Sequence, residues 1–383
     1  MNKGVGLMYG LALGGGGSRG SYEIGVLKAL KEMNIEIGAI TGTSIGAING
    51  ASFLMGDVNL VEEMWKSLSR DSLIKFKGIS IPDIIRNRGF DFDLLYTLLQ
   101  DYLVEELIRS SPIDLGIVTY NVTNKEPLVL FKDEIPEGKL IDYIAASANH
   151  PTFARLVIDG EEFIDGAVYD NIPIKPLYDK GFRDIIAVNL HTINDRKDLD
   201  GPYNLLQIEA DGSLGSILFP DPPTIEKNIL LGYLDTLKAF KKLHGNRYYF
   251  RSLDDFSLLS LLNAEEAKLL KEEMNPLFLN KTLDRYQRDA LPEYSMILAA
   301  LEITAEVLNI DNTRIYAHQG ELLDEILTAV DEIIKGQRKP PLKEKVIFMN
   351  LEPAAFKALE ITAPKLAIAN LFLKILQKRM IGE

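Results

Sequence analysis

Cysteine is missing from this sequence of 383 residues. Its absence excludes a disulfide framework, a thiolate-bound zinc and a cysteine nucleophile, and it is compatible with a reducing compartment. Histidine is nearly as scarce, and no HExxH pair occurs, which argues against a histidine-rich metal site. The sequence therefore gives no reason to expect a metal or another cofactor. The four histidines are His150, His191, His244 and His318.

Positive charge is also in short supply. The 42 lysines and arginines are outnumbered by 55 acidic residues, which leaves a net charge of −13 and a pI of about 5.0. Nucleic-acid binding needs a basic face, so this balance argues against a nucleic-acid partner. It leaves contact with a membrane open. Hydrophobic residues make up 46 % of the chain and charged residues 25 %, as in ordinary globular proteins.

No targeting signal is evident at the start of the sequence. The apolar stretch VGLMYGLAL after Lys3 imitates a signal peptide, but a glycine run and Arg19 stand where a small-residue cleavage site should follow. We therefore interpret the stretch as a first buried strand and expect a cytoplasmic protein. A chain of 383 residues is too long for most single cores, so two domains are expected.

Short apolar runs alternate with helical patterns up to about residue 250. Helices are predicted over residues 21–33 and from about residue 44. Such alternation is typical of a mainly parallel sheet covered by helices, so we predict an α/β domain over residues 1–250. The predicted strands are 5–13, 35–41, 115–122, 127–131, the short strand EEFI at 161–164, 182–190 and 203–210, and the third and fourth of them form a hairpin.

Strand patterns nearly vanish after Arg251, and amphipathic helical patterns take their place. Asn263 followed by Glu266 has the spacing of a capping box at a helix start. The last helical pattern, residues 364–379, is apolar and ends in lysine and arginine, as the helix dipole favours. We predict a helical C-terminal domain over residues 251–383.

The stretch ITGTSIGAING, residues 40–50, lies inside an uncharged run from Ile37 to Gly56. Such a run is long enough to span a bilayer, and glycines four residues apart are a known helix-packing pattern in membranes. Polar residues are too frequent in it for a membrane helix, and small residues serve equally well where a helix packs on a sheet. These polar residues are Thr41, Thr43, Ser44, Asn49 and Ser52.

A nucleotide site is a second interpretation. Residues Gly15–Gly20 match GxGxxG between a predicted strand and a predicted helix, as in dinucleotide-binding proteins. The second strand of such a unit should end in an acidic residue that holds the ribose. Here that strand ends in Thr-Gly-Thr-Ser, and Glu36 lies at its start. A dinucleotide-binding protein therefore remains only an alternative.

A hydrolase explains both glycine stretches at once. Gly42-Thr-Ser-Ile-Gly46 is a G-x-S-x-G sequence at a strand-to-helix junction, where a sharp turn exposes a strained serine and the glycines avoid clashes. The positive end of the following helix favours a developing alkoxide on Ser44. The loop Gly15–Gly17 follows the first strand at the same sheet edge, where successive N–H groups can form an oxyanion hole.

A serine hydroxyl needs a neighbouring base. His191 follows a predicted strand and His150 lies in a predicted loop, so either could complete a Ser-His-Asp triad. A carboxylate is the other candidate, since Asp165 and Asp159 each precede a glycine in a turn. Spacing alone does not choose among them.

Three motifs in order resemble the patatin-like phospholipase family: GGGGSRG, GTSIG and, at residues 165–167, DGA. The segment AASANHPTF at residues 145–153 and Asn171-Ile-Pro173 are also similar to the family. The resemblance covers roughly residues 5–250. Two departures are Ala167 in place of the commoner second glycine, and Leu13-Gly14 in place of an acidic residue before the glycine loop.

The resemblance implies a three-layer α/β/α fold and lipid acyl hydrolase activity without a cofactor. It implies that Ser44 is the nucleophile and Asp165 its base, in a dyad that needs no histidine. The loop Gly15, Gly16 and Gly17 becomes the oxyanion hole. Arg19 either holds this loop or meets a phosphate head group. The other motif residues are Gly20, Gly42, Gly46 and Gly166.

We therefore expect ester hydrolysis on phospholipids or related lipids, with a triad esterase and a non-enzymatic binding module as alternatives. A long acyl chain needs an apolar groove, whose candidate walls are segment 60–109 and loop 212–223. Helix 364–379 either packs on its neighbours or makes peripheral membrane contact. The large apolar residues singled out in the first wall are Trp65, Phe76, Phe90, Phe92, Leu94 and Leu95.

Overall fold

The computed structural model describes residues 7–67, 92–153, 155–192, 201–218, 221–252, 262–273, 292–339 and 344–381. The chain divides into two compact units, Met1–Ala239 and Phe240–Glu383, which are described separately. The domain boundary placed between residues 250 and 251 stays a prediction.

Eight strands form one sheet in the first unit. They are β1 (Met8–Leu13), β2 (Glu36–Thr43), β3 (Asp114–Asn121), β4 (Glu126–Phe131), β5 (Leu156–Ile158), β6 (Glu161–Asp165), β7 (Asp184–Asn189) and β8 (Asn204–Glu209). Their order is β5-β6-β3-β2-β1-β7-β8, and β4 pairs with β3 outside this path. Strands β3, β2, β1, β7 and β8 are parallel, whereas β4, β5 and β6 pair antiparallel.

Helices cover both faces of this sheet. Ala12 and Leu13 are consecutive in β1 and therefore point to opposite faces. Ala12 packs in a cluster with Leu177, whereas Leu13 lies beside Gly50. Leu177 belongs to a helix over Lys175–Asp179 and Gly50 to a helix over Ile45–Leu54, so one helix covers each face. The helices are α1 (Ser21–Glu32), α2 (Ile45–Leu54), α3 (Val58–Ser67), α4 (Phe92–Tyr102), α5 (Glu105–Ser110), α6 (Leu140–Ser147), α7 (Lys175–Asp179) and α8 (Pro222–Ala239).

The predicted α/β architecture is confirmed. Each predicted strand corresponds to an observed strand, and the predicted hairpin is the antiparallel pair β3–β4. Residues 5 and 6 of the first predicted strand lie outside the described residues. The membrane-helix interpretation of residues 37–56 was rightly rejected, because the run forms most of β2, a turn and α2. The sequence did not predict β5, which has three residues.

The second unit is mainly helical, as predicted. Asn263 and Glu266 form the expected capping box, with N–H to side-chain oxygen distances of 2.7 and 2.9 Å. A short parallel pair joins β9 (Tyr249–Phe250) to β10 (Ile315–Tyr316). The helices are α9 (Ala264–Glu273), α10 (Pro292–Val307), α11 (Gln319–Ile334), α12 (Pro353–Thr362) and α13 (Pro364–Ile381).

The last helix, α13, packs inside the second unit. Ile368, Phe372 and Ile375 belong to its buried core together with residues of α10 and α11. Asn370 is also buried and donates to three backbone carbonyls, of Val346, Ile347 and Met349. These contacts support packing on neighbouring helices rather than contact with lipid. Among the described helices, none combines the length and the apolar character that a membrane span needs.

Candidate active site

Ser44 occupies a strained turn between β2 and α2. Its φ of 56° and ψ of −123° lie where non-glycine residues are rarely found, and such strain concentrates at functional sites. The two flanking glycines are required by space. A Cβ on Gly42 would lie 2.4 Å from the Ala47 nitrogen, and one on Gly46 would lie 2.4 Å from the Leu13 oxygen. The predicted strand-turn-helix geometry around Ser44 is therefore present.

The sheet register brings Asp165 to Ser44. Strand β3 pairs Val118 with Thr43 of β2 and its next residue, Thr119, with Asp165 of β6. Because β4 pairs with β3 along both segments, β2 and β6 must lie on the other side of β3. Strand β6 therefore continues the line of β2 from the opposite direction. The carboxyl ends of the two strands meet head-on, with Ser44 at one end and Asp165 at the other.

Asp165 is a buried carboxyl that is bonded to Ser44. Burial raises its pKa to about 6, although hydrogen bonds from the Ala167 N–H and the Ser44 side chain lower it in part. The Ala167 nitrogen lies 2.8 Å from Asp165 Oδ1. The group is therefore mostly ionised at neutral pH yet more basic than an ordinary aspartate, whose pKa is about 3.9.

Gly166 gives the turn after Asp165 its shape. A Cβ at Gly166 would lie 2.3 Å from the Val118 carbonyl oxygen, so no larger residue fits. Ala167, by contrast, contributes its backbone N–H to Asp165, and many side chains are compatible with that role. This explains why alanine is tolerated where the commoner motif has a second glycine.

Ser147, at the end of α6, links the Ser44 turn to strand β3. Its Oγ accepts the Ser44 N–H at 2.9 Å and donates to the Val118 carbonyl at 2.6 Å. The residue is fully buried. It lies in the segment AASANHPTF, which the sequence marked by resemblance without giving this serine a role.

The glycine loop approaches Ser44 closely. A Cβ on Gly15 would lie 3.2 Å from Ser44 Cβ and 2.6 Å from the Asn171 side-chain oxygen. The Gly15 N–H donates to the Asn171 carbonyl at 3.1 Å, so it is not available to a ligand. The N–H groups of Gly16 and Gly17 make no hydrogen bond within the described residues. Two of the three glycines predicted as donors therefore have free N–H groups.

Arg19 braces the loop from behind. Its guanidinium donates to the backbone carbonyls of Leu190, His191 and Gly215. Of the two roles considered for Arg19, these contacts support holding the glycine loop. Loop 212–223 joins in through Ser18, whose N–H donates to the Ile217 carbonyl at 2.8 Å. Gly20 ends the loop against Ile45, which leaves no room for a side chain.

The segment after Asp165 runs along the strand ends and ties the motifs together. Thr43 Oγ1 donates to the Asp170 carbonyl at 2.9 Å, and Thr41 Oγ1 donates to the Pro173 carbonyl at 2.6 Å. Asn171 Nδ2 donates to the Gly15 carbonyl at 3.2 Å. These bonds hold the glycine loop, β2 and the Asp165 turn in one arrangement.

The histidines make other contacts. His191 Nε2 lies 2.7 Å from the Ala210 carbonyl, and His150 Nδ1 lies 2.9 Å from Thr152 Oγ1. Asp159, the other carboxylate considered, is exposed and forms an ion pair with Lys139 at 3.2 Å. Among the described residues, Asp165 is thus the titratable group that reaches Ser44.

The candidate acyl groove is only partly described. Phe76 and Phe90 lie outside the described residues, as do the side chains of Phe92 and Leu94. Trp65 is buried and its indole N–H donates to Asn49, so it belongs to the core. Three large apolar side chains close in sequence to site residues are exposed. Val168 and Tyr169 follow Asp165, and Leu218 follows Ile217, whose carbonyl accepts the Ser18 N–H.

Metal ligands are not grouped in the described part of the chain, where no cluster of three or more histidine, aspartate or glutamate side chains could hold an ion. The arrangement instead offers a strained serine, a buried carboxylate and free backbone donors at one sheet edge. These are the elements that define acyl-transferring serine sites on α/β folds.

Comparison with known proteins agrees with this class. Residues 11–178 match the family model described as patatin-like phospholipase, and this part of the chain is a patatin-like domain. The chain is 30 % identical over 209 residues to lysophospholipase NTE1 of Cryptococcus neoformans var. neoformans serotype D, covering 51 % of this chain and 12 % of that protein. It is 30 % identical over 278 residues to lysophospholipase NTE1 of Kluyveromyces lactis, covering 67 % and 18 %.

The chain thus spans less than a fifth of the length of these curated relatives. Among solved structures, VipD from Legionella pneumophila matches with a TM-score of 0.39 and 14 % identity, over 98 % of this chain and 88 % of that one. The type III effector ExoU matches with a TM-score of 0.34 and 14 % identity, over 97 % and 88 %. Scores this low carry no argument about function.

Proposed function

We propose that this protein is a serine acyl hydrolase that cleaves carboxylic ester bonds of phospholipids or related lipids. The observation that carries the proposal is the hydrogen bond between Ser44 and Asp165, a buried carboxyl whose pKa is raised to about 6. A base works best when its pKa lies near the working pH, and burial brings Asp165 toward that range.

The proposed reaction begins when Ser44 Oγ attacks the ester carbonyl and Asp165 takes the hydroxyl proton. The tetrahedral intermediate collapses, the ester C–O bond breaks, and the alcohol leaves with the proton from Asp165. Water then attacks the acyl-enzyme while Asp165 accepts its proton. The acid is released and Ser44 recovers its hydrogen. Ser44 and Asp165 therefore act as a catalytic dyad in which no histidine takes part.

Gly16 and Gly17 are the proposed oxyanion donors. Their N–H groups have no partner within the described residues, and their loop reaches Ser44 through Gly15. The N-terminus of α2, directly after Ser44, adds a favourable dipole. Each such donor contributes on the order of 3 kcal/mol in other hydrolases. Gly15 shapes the approach to Ser44, and its own N–H is already bonded to Asn171.

A lipid is the proposed substrate class. The curated relatives are named lysophospholipases, and the exposed Val168, Tyr169 and Leu218 place apolar surface next to the dyad turn and the loop that holds the glycines. These side chains can meet an acyl chain or the surface of a lipid aggregate, which includes peripheral contact with a membrane. A cytoplasmic location stays a prediction made from the sequence.

Labelling with a fluorophosphonate followed by peptide mass spectrometry tests the nucleophile and the class together. We expect modification of Ser44 in the wild type and none in Ser44→Ala. Ser52→Ala is the matched control, because Ser52 lies on the same helix and its hydroxyl donates to the Ile48 carbonyl. Labelling of another residue would overturn the proposal. A lysophospholipid and p-nitrophenyl butyrate, tested side by side, separate a lipid hydrolase from a general esterase.

A further inference from the structure

A second carboxyl is buried beneath the glycine loop. Glu23 lies in the first turn of α1 and has no exposed surface. Its neighbours in sequence, Tyr22 and Ile24, are buried apolar residues of the same helix. The proposed reaction does not use Glu23. Burying a carboxyl group is costly unless the group makes hydrogen bonds, so the partners of Glu23 indicate its role.

Asn49 is the main partner of Glu23. Its Nδ2 donates to Glu23 Oε2 at 2.8 Å and to the Gly20 carbonyl at 3.0 Å. Its Oδ1 accepts the indole N–H of Trp65 at 3.1 Å. Because an indole N–H only donates, this bond fixes which end of the Asn49 amide faces Glu23.

The pair contacts both ends of the glycine loop. Glu23 accepts a hydrogen bond from the Gly14 backbone, and Asn49 donates to Gly20. Between these ends lie Gly16 and Gly17, the proposed oxyanion donors. Asn49 belongs to α2, the helix that begins directly after Ser44. One buried hydrogen-bonded pair therefore joins the donor loop to the helix of the nucleophile.

We propose that Glu23 and Asn49 position the glycine loop so that its free N–H groups face the ester oxygen at Ser44. We call Glu23 and Asn49 the clamp. Its catalytic consequence rests on the proposed function, but its hydrogen bonds to the loop do not depend on that function. Neither residue touches the reacting atoms, so both are positioning residues. An error of about 1 Å in such a loop can cost about 10²-fold in rate.

The protonation state of Glu23 links this clamp to pH. Burial raises its pKa to about 8, and the bonds from Asn49 and Gly14 lower it only in part. Among the described residues, Oε1 has no hydrogen-bond partner. Glu23 is therefore mostly neutral at pH 7. As pH rises through about 8, a negative charge forms beneath the loop that must stabilise another negative charge, so turnover should fall.

Within the described part of the chain, no charged side chain contributes to the raised pKa of Glu23. Helix α2 carries no titratable residue. Glu63, Glu226 and Lys227 are exposed to solvent. The other titratable groups on α1, α3, α8 and the glycine loop have partners of their own. Lys28 and Lys66 bond to Glu62, Tyr22 and Lys238 to Asp235, and Tyr233 to Glu32. Lys31 and Arg19 donate to backbone carbonyls.

Four variants of the full chain test the clamp: Glu23→Ala, Asn49→Ala, Glu23→Gln and the control Tyr22→Phe. Tyr22→Phe removes a buried hydrogen bond from the same turn of α1, to Asp235 at 2.8 Å, without touching the loop. Turnover of p-nitrophenyl butyrate is measured from pH 5 to 10. Hydrogen exchange at pH 7 is followed in peptides that contain residues 14–20.

We expect both alanine variants to lower kcat by about 10²-fold with little change in KM. Glu23→Gln, which keeps the shape and the acceptor oxygen, should restore most of that loss. It should also remove the fall in activity above pH 8. Tyr22→Phe should keep the wild-type kcat and pH profile, even if it melts at a lower temperature.

Hydrogen exchange tests the clamp independently of whether Ser44 is catalytic. Faster exchange in residues 14–20 of Glu23→Ala and Asn49→Ala, but not of Tyr22→Phe, supports the clamp even if wild-type Ser44 proves inert. Wild-type exchange and kcat in both alanine variants would overturn it. Equal losses in Tyr22→Phe would also overturn it, since they would reflect packing alone. An alkaline limb that persists in Glu23→Gln would refute the role of Glu23 ionisation.

Discussion

Both units of this protein bury carboxyl groups, and Glu302 of the second unit and Asp165 of the first are satisfied in different ways. Glu302 of α10 in the second unit has no exposed surface and accepts the backbone N–H groups of Asn246 and Arg247 at 2.9 and 2.8 Å. Asp165 in the first unit accepts one backbone N–H, from Ala167, and the hydroxyl of Ser44. Both hydrogen bonds given for Glu302 come from the backbone, whereas one of the two given for Asp165 comes from the Ser44 hydroxyl.

This difference distinguishes a structural acid from the proposed catalytic base. Backbone donors to both oxygens hold Glu302 as part of the turn before β9. Asp165 has fewer backbone donors, so the free-energy cost of burying its charged form is only partly offset, and its pKa is raised. Sites of this kind give up stability for reactivity. The same change, from acid to amide, should therefore act in opposite directions in the two units.

Asp165→Asn should have the largest effect. The amide cannot take a proton from Ser44, so we expect kcat/KM to fall by roughly 10² to 10⁴-fold, the usual contribution of general base catalysis. Steady-state hydrolysis of p-nitrophenyl butyrate measures this loss. Retention of near wild-type turnover would contradict the dyad.

The same variant should be more stable than the wild type. A carboxyl with a raised folded pKa binds more protons when folded, so wild-type stability falls as pH rises from about 3.8 through about 6. Asparagine removes this cost. The gain should be on the order of 2–3 kcal/mol above pH 6 and absent below pH 4. Urea unfolding at pH 4 and pH 8 measures it.

The pH dependence of the wild type tests the assignment of the base. Asp165 must be ionised to act, and its pKa is about 6. We expect kcat/KM to fall about tenfold per pH unit below pH 6, since this ratio reports the free enzyme. A profile that stays flat down to pH 4.5 would show that the working group has an ordinary carboxyl pKa or that the base is a different group.

Much of this arrangement could be predicted from the sequence. Apolar periodicity placed the strands, and the motifs GGGGSRG and GTSIG fall at strand ends in the folded chain. The resemblance to patatin-like proteins singled out Asp165 over His191. These features are local in the sequence or belong to short motifs, so they can be predicted before the fold is known.

The remaining features depend on contacts between distant parts of the chain. Nothing local says that β6 continues the line of β2, or that Ser147 bridges Ser44 and Val118. Glu23 offered one signal, an acid between apolar residues of a predicted helix, but its partner Asn49 lies 26 positions away. The sequence left the role of Arg19 open, because the backbone carbonyls that its guanidinium contacts lie far away in the chain.

Glu302→Gln is the counterpart of Asp165→Asn in the second unit. Glutamine has one acceptor oxygen, so one of the two half-buried N–H groups would face an NH₂ group. We expect a loss of about 1–3 kcal/mol in the free energy of unfolding, the usual cost of leaving a donor unsatisfied away from water. Labelling of Ser44 in folded protein should not change. A gain in stability would contradict the conclusion that backbone donors stabilise Glu302 as a buried carboxylate.

His191→Asn should have the smallest effect and separates the dyad from a triad. His191 has a φ of 53°, a conformation that asparagine tolerates, and the Arg19 bond to its carbonyl involves only the backbone. The substitution removes one hydrogen bond, from Nε2 to the Ala210 carbonyl, worth about 1 kcal/mol. Turnover and its acid limb should match the wild type. A fall as large as that of Asp165→Asn would identify His191 as the base and return the site to a triad, because a bond to Ala210 alone cannot account for such a loss.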